Sequence, residues 1–174
     1  MIYLISGSVG SGKTTACERI LALAEKRGLA CGGVICPATY ERGVKTGSRI
    51  IDVRSKESEE FSCATGACFY AGINVGGHSI SPAGLEFGIR ALKDSADCDL
   101  VFIDEVGALE LSGGGFRPAL EEVLGNRKNV VVVVRERARD WFLEGFRKHK
   151  VVECRIDGER DFAARIVEGI NSGA

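Results

Sequence analysis

Two glycines, Gly7 and Gly12, bracket four residues and are followed at once by Lys13 and Thr14, which is the spacing of a phosphate-binding loop. Each residue type has a physical task. Glycine lets the backbone curl until successive N–H groups point inward at an anion, a curvature that side chains would obstruct. A helix starting at Lys13 to Thr15 adds the positive end of its dipole and its unpaired amides, so a triphosphate can be held largely by main chain. Gly7, Ser8, Val9, Gly10, Ser11, Gly12, Lys13, Thr14 and Thr15 are therefore the expected nucleotide-binding segment. Within it Lys13 is expected to reach the β- and γ-phosphates, and the Thr14 hydroxyl to ligate Mg²⁺.

Such a loop needs a strand before it and an amphipathic helix after it, and both are legible. Met1 to Ser6 is a short apolar run. Beyond the loop, Ala16, Ile20, Leu21, Leu23 and Ala24 recur at helical spacing, while Glu18, Arg19, Glu25, Lys26 and Arg27 take the other side.

A second site element lies far along the chain. Leu100-Val101-Phe102-Ile103 is continuously apolar and ends in Asp104 and Glu105, the pattern of a central parallel strand buried on both faces. Ligands of open α/β sheets sit outside the carboxyl ends of the strands, so Asp104 is expected beside Lys13 and Thr14, holding the Mg²⁺ shell. Glu105, one residue on, is suited to orient or deprotonate a water that attacks the γ-phosphate, or is simply a solvated strand end. Val130 to Val134 reads as another buried strand and delivers Arg135 to the same edge. Arg135 is a candidate arginine finger; with Arg137 and Arg139 it could instead form the basic lid of a kinase, or a charged corner partly paired with Glu136 and Asp140.

Strands alternating with helices give an α/β domain over residues 1–174, with a mainly parallel sheet covered by helices on both faces. Gly28 is a C-cap for the first helix, and Leu29 to Cys36 reads as a second strand halted by Pro37. Residues 39–78 break the alternation and are expected as an insertion after that strand: a β-hairpin or short meander, a polar turn over Ser55 to Glu60, and a strand near Phe69 to Ile73. Ser81 and Pro82 open a helix that runs to about Ser95. A helix from about Phe116 to Leu124, another over Ala138 to Lys148, a strand over Val151 to Ile156 and a helix over Asp161 to Ile170 complete the expected order.

Composition narrows the partners. A formal net charge of −1, with 45% hydrophobic and 27% charged residues, provides no global field for nucleic acid or an anionic membrane. No run approaches the length of a membrane span and the chain opens on strand and loop, so a cytoplasmic protein is expected. Seven cysteines, scattered through apparent core elements, suit reduced buried thiols. Cys31, Cys36, Cys63 and Cys68 could be imagined as a zinc site, but the two thiols of a strand from Cys31 to Cys36 would point to opposite faces. His78 and His149 have no sequence-local acid and receive no role.

One segment carries a family resemblance. Asp104-Glu105-Val106-Gly107-Ala108-Leu109-Glu110-Leu111, followed by Phe116, resembles the hallmark of the THEP-type family of small P-loop nucleoside triphosphatases, which includes the cancer-related nucleoside triphosphatase. That hallmark is an Asp-Glu-Ile-Gly segment, a hydrophobic pair around Glu, then Phe. Lys45-Thr46-Gly47 is similar to the family's basic residue and Gly in the inserted hairpin. Ala71 to Val75 is similar to the strand before its middle helix, and Glu159-Arg160-Asp161 to its late Asn-Arg-Asp. Lys45, Ser48 and Glu159 stand where Arg, an aromatic and Asn are usual. The resemblance implies Mg²⁺-dependent hydrolysis of nucleoside triphosphates, including ATP and GTP, broad over bases, with the Arg160 guanidinium stacked beside the nucleobase.

Three functions remain compatible with the residues: a nucleoside triphosphatase; a small-molecule kinase with a second pocket beside Glu105; and a nucleotide-dependent binding module whose insertion, Tyr40 to Gly77, orders for an unknown protein partner. The first accounts for most of the site.

Overall fold

The continuously apolar runs become the centre of one mixed, ten-stranded sheet. The computed structural model describes residues 1–65, 67–68, 70–126, 129–156 and 162–171, without the side chains of Arg155 and Asn171. In chain order the elements are β1 (Ile2–Gly7), α1 (Lys13–Lys26), β2 (Cys31–Ile35), β3 (Ala38–Glu41), β4 (Val44–Asp52), β5 (Ser58–Ala64), β6 (Ile73–Val75), β7 (His78–Ile80), α2 (Pro82–Lys93), β8 (Leu100–Val106), α3 (Ala108–Leu111), α4 (Arg117–Gly125), β9 (Asn129–Arg135), α5 (Arg139–Gly145), β10 (Val151–Arg155) and α6 (Phe162–Asn171). The sheet runs β10-β1-β9-β8-β2-β4-β5-β7-β6, with β3 on β4. From β10 to β2 the neighbours are parallel, and from β4 outward antiparallel. β1 and β2 are both in the parallel half but are separated by β9 and β8, which brings the ends of β1, β9 and β8 together.

Successive residues of a strand face opposite sides, and the two cores follow that period. Leu4, Val101, Ile103, Val130, Val132 and Val134 pack with Leu92, Phe116, Leu120 and Phe142 beneath α2, α4 and α5. Tyr3, Ile5, Leu100, Phe102, Val131 and Val133 pack with Ile20, Ile166 and Val167 beneath α1 and α6. Each fully buried Val, Leu or Ile contributes about 1.5–3 kcal/mol, so strands apolar on both faces are held from both sides. Among the described residues no helix is long and apolar enough to cross a membrane.

The helix signals hold where they rest on capping chemistry. Ser81 Oγ accepts the Gly84 N–H at 3.1 Å with Pro82 in the first turn, and Gly28 takes the left-handed conformation just past Arg27. Between Arg135 and Arg139 the chain makes a 3-10 turn, Glu136–Ala138, before α5, so the helix expected from Ala138 to Lys148 is shorter.

The antiparallel half departs most from expectation. The polar stretch ends earlier: Asp52 turns the chain by accepting the Arg54 N–H at 2.9 Å and the Ser55 hydroxyl at 2.9 Å, and β5 begins at Ser58. Glu59 and Glu60 sit opposite Ile50 and Arg49, because ladder hydrogen bonds are made by backbone and an exposed face tolerates charge. Of the strand expected near Phe69 to Ile73, Phe69 lies outside the described residues and Ile73 begins β6, which pairs with β7 across Gly76-Gly77. That two-glycine turn, both residues at positive φ, puts His78 at the start of β7. Asp161 lies outside the described residues, and α6 begins at Phe162.

The cysteines need one correction. Cys63 and Cys68 are bridged, with Cα atoms 5.7 Å apart, because the Ala67 N–H bonds back to the Ala64 carbonyl and folds the chain after β5 onto its own end. Cys17, Cys31, Cys36, Cys98 and Cys154 keep their thiols. Among the described residues no three His, Cys, Asp or Glu side chains form a metal cluster.

Candidate active site

β1 ends at Gly7, and the chain then curls through residues 8–12 into α1. Gly10 and Gly12 take φ of 80° and 87°, left-handed conformations that a side chain would strain. No side chain caps α1, so its first-turn amides remain for an anion. The Lys13 amine lies across the curl, donating to the Gly7 carbonyl at 2.9 Å and to the Ser8 carbonyl. Partial burial holds its pKa below the ordinary lysine value. Ser11 Oγ donates to the Ser8 carbonyl at 2.9 Å, so that hydroxyl is spent on the loop itself.

The two distant segments meet at Asp104. Its Oδ2 accepts the Thr14 hydroxyl at 3.0 Å and the Cys36 N–H at 3.1 Å, and its Oδ1 accepts the Glu105 N–H at 2.9 Å. Burial, with the nearby Glu105 charge second, pushes this carboxyl up to about 6 despite those three donors. A carboxylate so far from water, touching a loop hydroxyl, is a place where a divalent cation would relieve an electrostatic cost.

Glu105 is aimed by an irregularity in β8. Ile103 pairs with Val132 and Val106 with Val134, so Asp104 and Glu105 together oppose the single residue Val133. This bulge puts Glu105 at a φ of 72°, a strained conformation for a residue with a side chain. Its Oε2 lies 3.4 Å from Arg135 Nη2. Arg135 ends β9 directly opposite Gly7, the first residue of the loop curl. Arg139, by contrast, is tied to Glu153 at 2.6 Å and to Asp140 at 2.7 Å, and so is not available as a lid.

Two further positions, given no role from the sequence, shape the site. Glu110 is 97% buried by its 3% exposure and accepts the Gly107 N–H at 2.7 Å and the Phe116 N–H at 2.9 Å, locking the turn after Glu105 to the start of α4. His78 stands in the wall of the cleft, and its Nδ1 is buried with no hydrogen-bond partner among the described residues. A Gly-Gly dipeptide before it was the available sign of a hairpin that could carry it there.

A cleft of about 1390 Å³, open mouth included, runs over these groups. Val9, Gly10, Gly12, Lys13, Thr14 and Thr15 line one side, Asp104, Glu105 and Arg135 the floor, and Tyr40, Lys45, Gly76 and His78 from the antiparallel strands the other side. Of the expected site residues, Gly7, Ser8 and Ser11 shape the loop without lining the cleft, and Arg160 lies outside the described residues.

The family model for NTPases matches residues 2–166. The chain belongs to this NTPase family. Among family members, the nucleoside-triphosphatase THEP1 of Ignicoccus hospitalis is 36% identical over 149 residues, covering 84% of each chain. That of Methanosarcina acetivorans is 33% identical over 159 residues, covering 90% of this chain and 89% of its own. Two solved structures share the fold: THEP1 from the hyperthermophile Aquifex aeolicus, with a TM-score of 0.70 and 26% identity, and a human cancer-related nucleoside triphosphatase, with a TM-score of 0.74 and 18% identity. Each comparison covers 99% of this chain and 98% of the other.

Proposed function

We propose that this nucleoside triphosphatase uses the Lys13–Asp104–Glu105 site to cleave the β,γ-anhydride of nucleoside 5′-triphosphates, with Mg²⁺ bound and with broad tolerance of the base. The observation that carries the reading is the 3.0 Å contact between Thr14 Oγ1 and Asp104 Oδ2, which joins the loop to the acidic strand end. Thr14 and Asp104 fit the cation: a hydroxyl and a buried carboxylate at one point, with few other protein ligands, suit an ion that keeps waters and phosphate oxygens in its shell. When bound, Mg²⁺ would neutralise charge on the phosphate oxygens.

The chain's own groups account for the remaining steps. On nucleotide binding Lys13 exchanges the Gly7 and Ser8 carbonyls for phosphate oxygens, and the loop amides take up the charge that develops on the leaving diphosphate. Glu105 orients a water for in-line attack on the γ-phosphorus and accepts its proton. Arg135, next to both Glu105 and the loop, stabilises charge on the γ-phosphoryl oxygens. Recognition concentrated on the phosphates supports broad specificity.

The test is phosphate release from ATP, GTP, CTP and UTP with and without Mg²⁺, in the parent and in Lys13→Ala. Release from several nucleotides that needs Mg²⁺ and disappears in Lys13→Ala is expected. Release that survives in Lys13→Ala would remove the loop from the reaction, and release from a single nucleotide would remove the broad specificity.

A further inference from the structure

Across the wall formed by Lys45, His78, Glu105 and Arg135 from the nucleotide cleft lies a second recess, about 620 Å³ with its mouth included. Those four residues line both hollows, whereas no residue of the phosphate loop lines the recess. Its inner walls are of another character: Phe61, Val75, Ile80 and Leu85 are apolar, and Ser48 and Ser62 present hydroxyl oxygens 2.7 Å apart. We propose that this recess is an acceptor site, where a small aliphatic alcohol takes the place of the attacking water and receives the γ-phosphoryl group. The inference rests on the hydrolytic reading above, because the same loop and the same Glu105 serve both reactions.

Three observations carry it. Position is the first: the recess shares Glu105 and Arg135 with the cleft but no residue of the loop, so a molecule in it meets those two side chains from the side away from the loop. The second is lining, since the attacking water of a hydrolase needs no apolar walls to hold it. The third is the buried His78 Nδ1, which has no partner among the described residues. A buried nitrogen without a hydrogen bond is a cost that a ligand hydroxyl would relieve once the imidazole turns Nδ1 toward the recess. The bulge that forces Glu105 to positive φ turns its carboxylate into the shared wall, where it can serve either nucleophile.

The ligand's chemistry follows from the lining. One hydroxyl lies at Glu105 and His78, a short aliphatic body lies against Phe61, Ile80 and Leu85, and a second polar group meets the Ser48–Ser62 pair. In the transfer, the bond from the γ-phosphorus to the β,γ-bridging oxygen breaks and a bond to the alcohol oxygen forms. The alcohol proton passes to the Glu105 carboxylate, and the products are a phosphomonoester and a nucleoside diphosphate.

The probes are straight-chain terminal diols of three to five carbons, given to the full chain with ATP and Mg²⁺, with products separated by phosphorus NMR. A diol phosphomonoester is expected beside inorganic phosphate. The ratio of the two should fall about tenfold or more in Val75→Trp, which fills the recess from the edge of the sheet. The parent gives an independent reading, because it has only two histidines: a diol should shift the imidazole signals of His78 and leave those of His149. Inorganic phosphate as the sole product with every diol, while Lys13-dependent hydrolysis proceeds and His78 is unmoved, overturns the acceptor site and spares the hydrolytic reading. A phosphomonoester whose ratio to phosphate is unchanged in Val75→Trp also overturns the recess as its site. Absence of both products would overturn the hydrolytic reading, and this inference with it.

Discussion

Replacing Asp104 by Asn should change how stability depends on pH, and the size of the change follows from burial. The folded chain holds this carboxyl at about 6 against an ordinary 3.8, so it binds the proton more tightly than the unfolded chain does. Below about pH 4 both states are largely protonated and no penalty applies; above about pH 6 both are ionised and the whole penalty, about 3 kcal/mol, is charged against the fold. Stability contributed by the neutral acid is therefore lost as pH rises from about 4 to about 6. Asn is neutral throughout and removes that slope. It also sets an N–H₂ group against one of the donors that Asp104 now satisfies, from Cys36, Thr14 or Glu105, costing about 1 kcal/mol at every pH. The diagnostic is thus the difference between variant and parent, from which the raised Glu110 carboxyl and other shared groups cancel. Urea unfolding without nucleotide or divalent cation can be followed by the single tryptophan, Trp141, which packs against Phe146 and lies beneath the Arg117 guanidinium. Relative to the parent, Asp104→Asn should gain roughly 2–3 kcal/mol between pH 4 and pH 8. A difference flat to within about 0.5 kcal/mol across that range would refute the claim that Asp104 is a buried charge awaiting a cation.

Other perturbations separate the roles of the neighbouring residues. Glu105→Gln should keep triphosphate affinity within a few-fold and lower turnover about 10²–10⁴-fold; nucleotide titration and phosphate release measure the two, and parental turnover would remove Glu105 as the base. Arg135→Ala should reduce kcat about 10²-fold with little change in affinity, and a loss confined to KM would recast Arg135 as a binding group. Gly115→Ala should destabilise the fold by about 1–3 kcal/mol in urea unfolding. Its new Cβ would press on Glu110 Oε1, and its φ of 59° disfavours a side chain. Parental stability there would deny Glu110 its locking role.

Legibility in this chain depended on whether information is carried by side-chain type or by backbone geometry. The loop, the strand ending in Asp104 and the five-valine strand announce themselves because glycine, lysine and continuous apolar runs have few other uses, and parallel strands buried on both faces require such runs. Their convergence follows from sheet order alone: once β1, β9 and β8 are neighbours, Gly7, Arg135 and Asp104 share an edge. The antiparallel half resisted because its strands are held by ladder hydrogen bonds with one face in water, so Ser58, Glu59 and Glu60 read as turn. His78 was lost for the same reason, as a short strand across a two-glycine turn has no period to detect. Glu105 lies between these cases. Its identity and position nominate a catalytic base, yet its aim depends on one extra residue opposite Val133 and a left-handed φ that its side chain does not favour. Strain of this kind persists only where surrounding structure holds it, and here the holding groups are Asp104 on one side and the Glu110-locked turn on the other. Glu110, an ordinary acidic residue in the sequence, thereby ties the bulge to α4, so the carboxylate that touches no reacting atom fixes the geometry of the one assigned to do so.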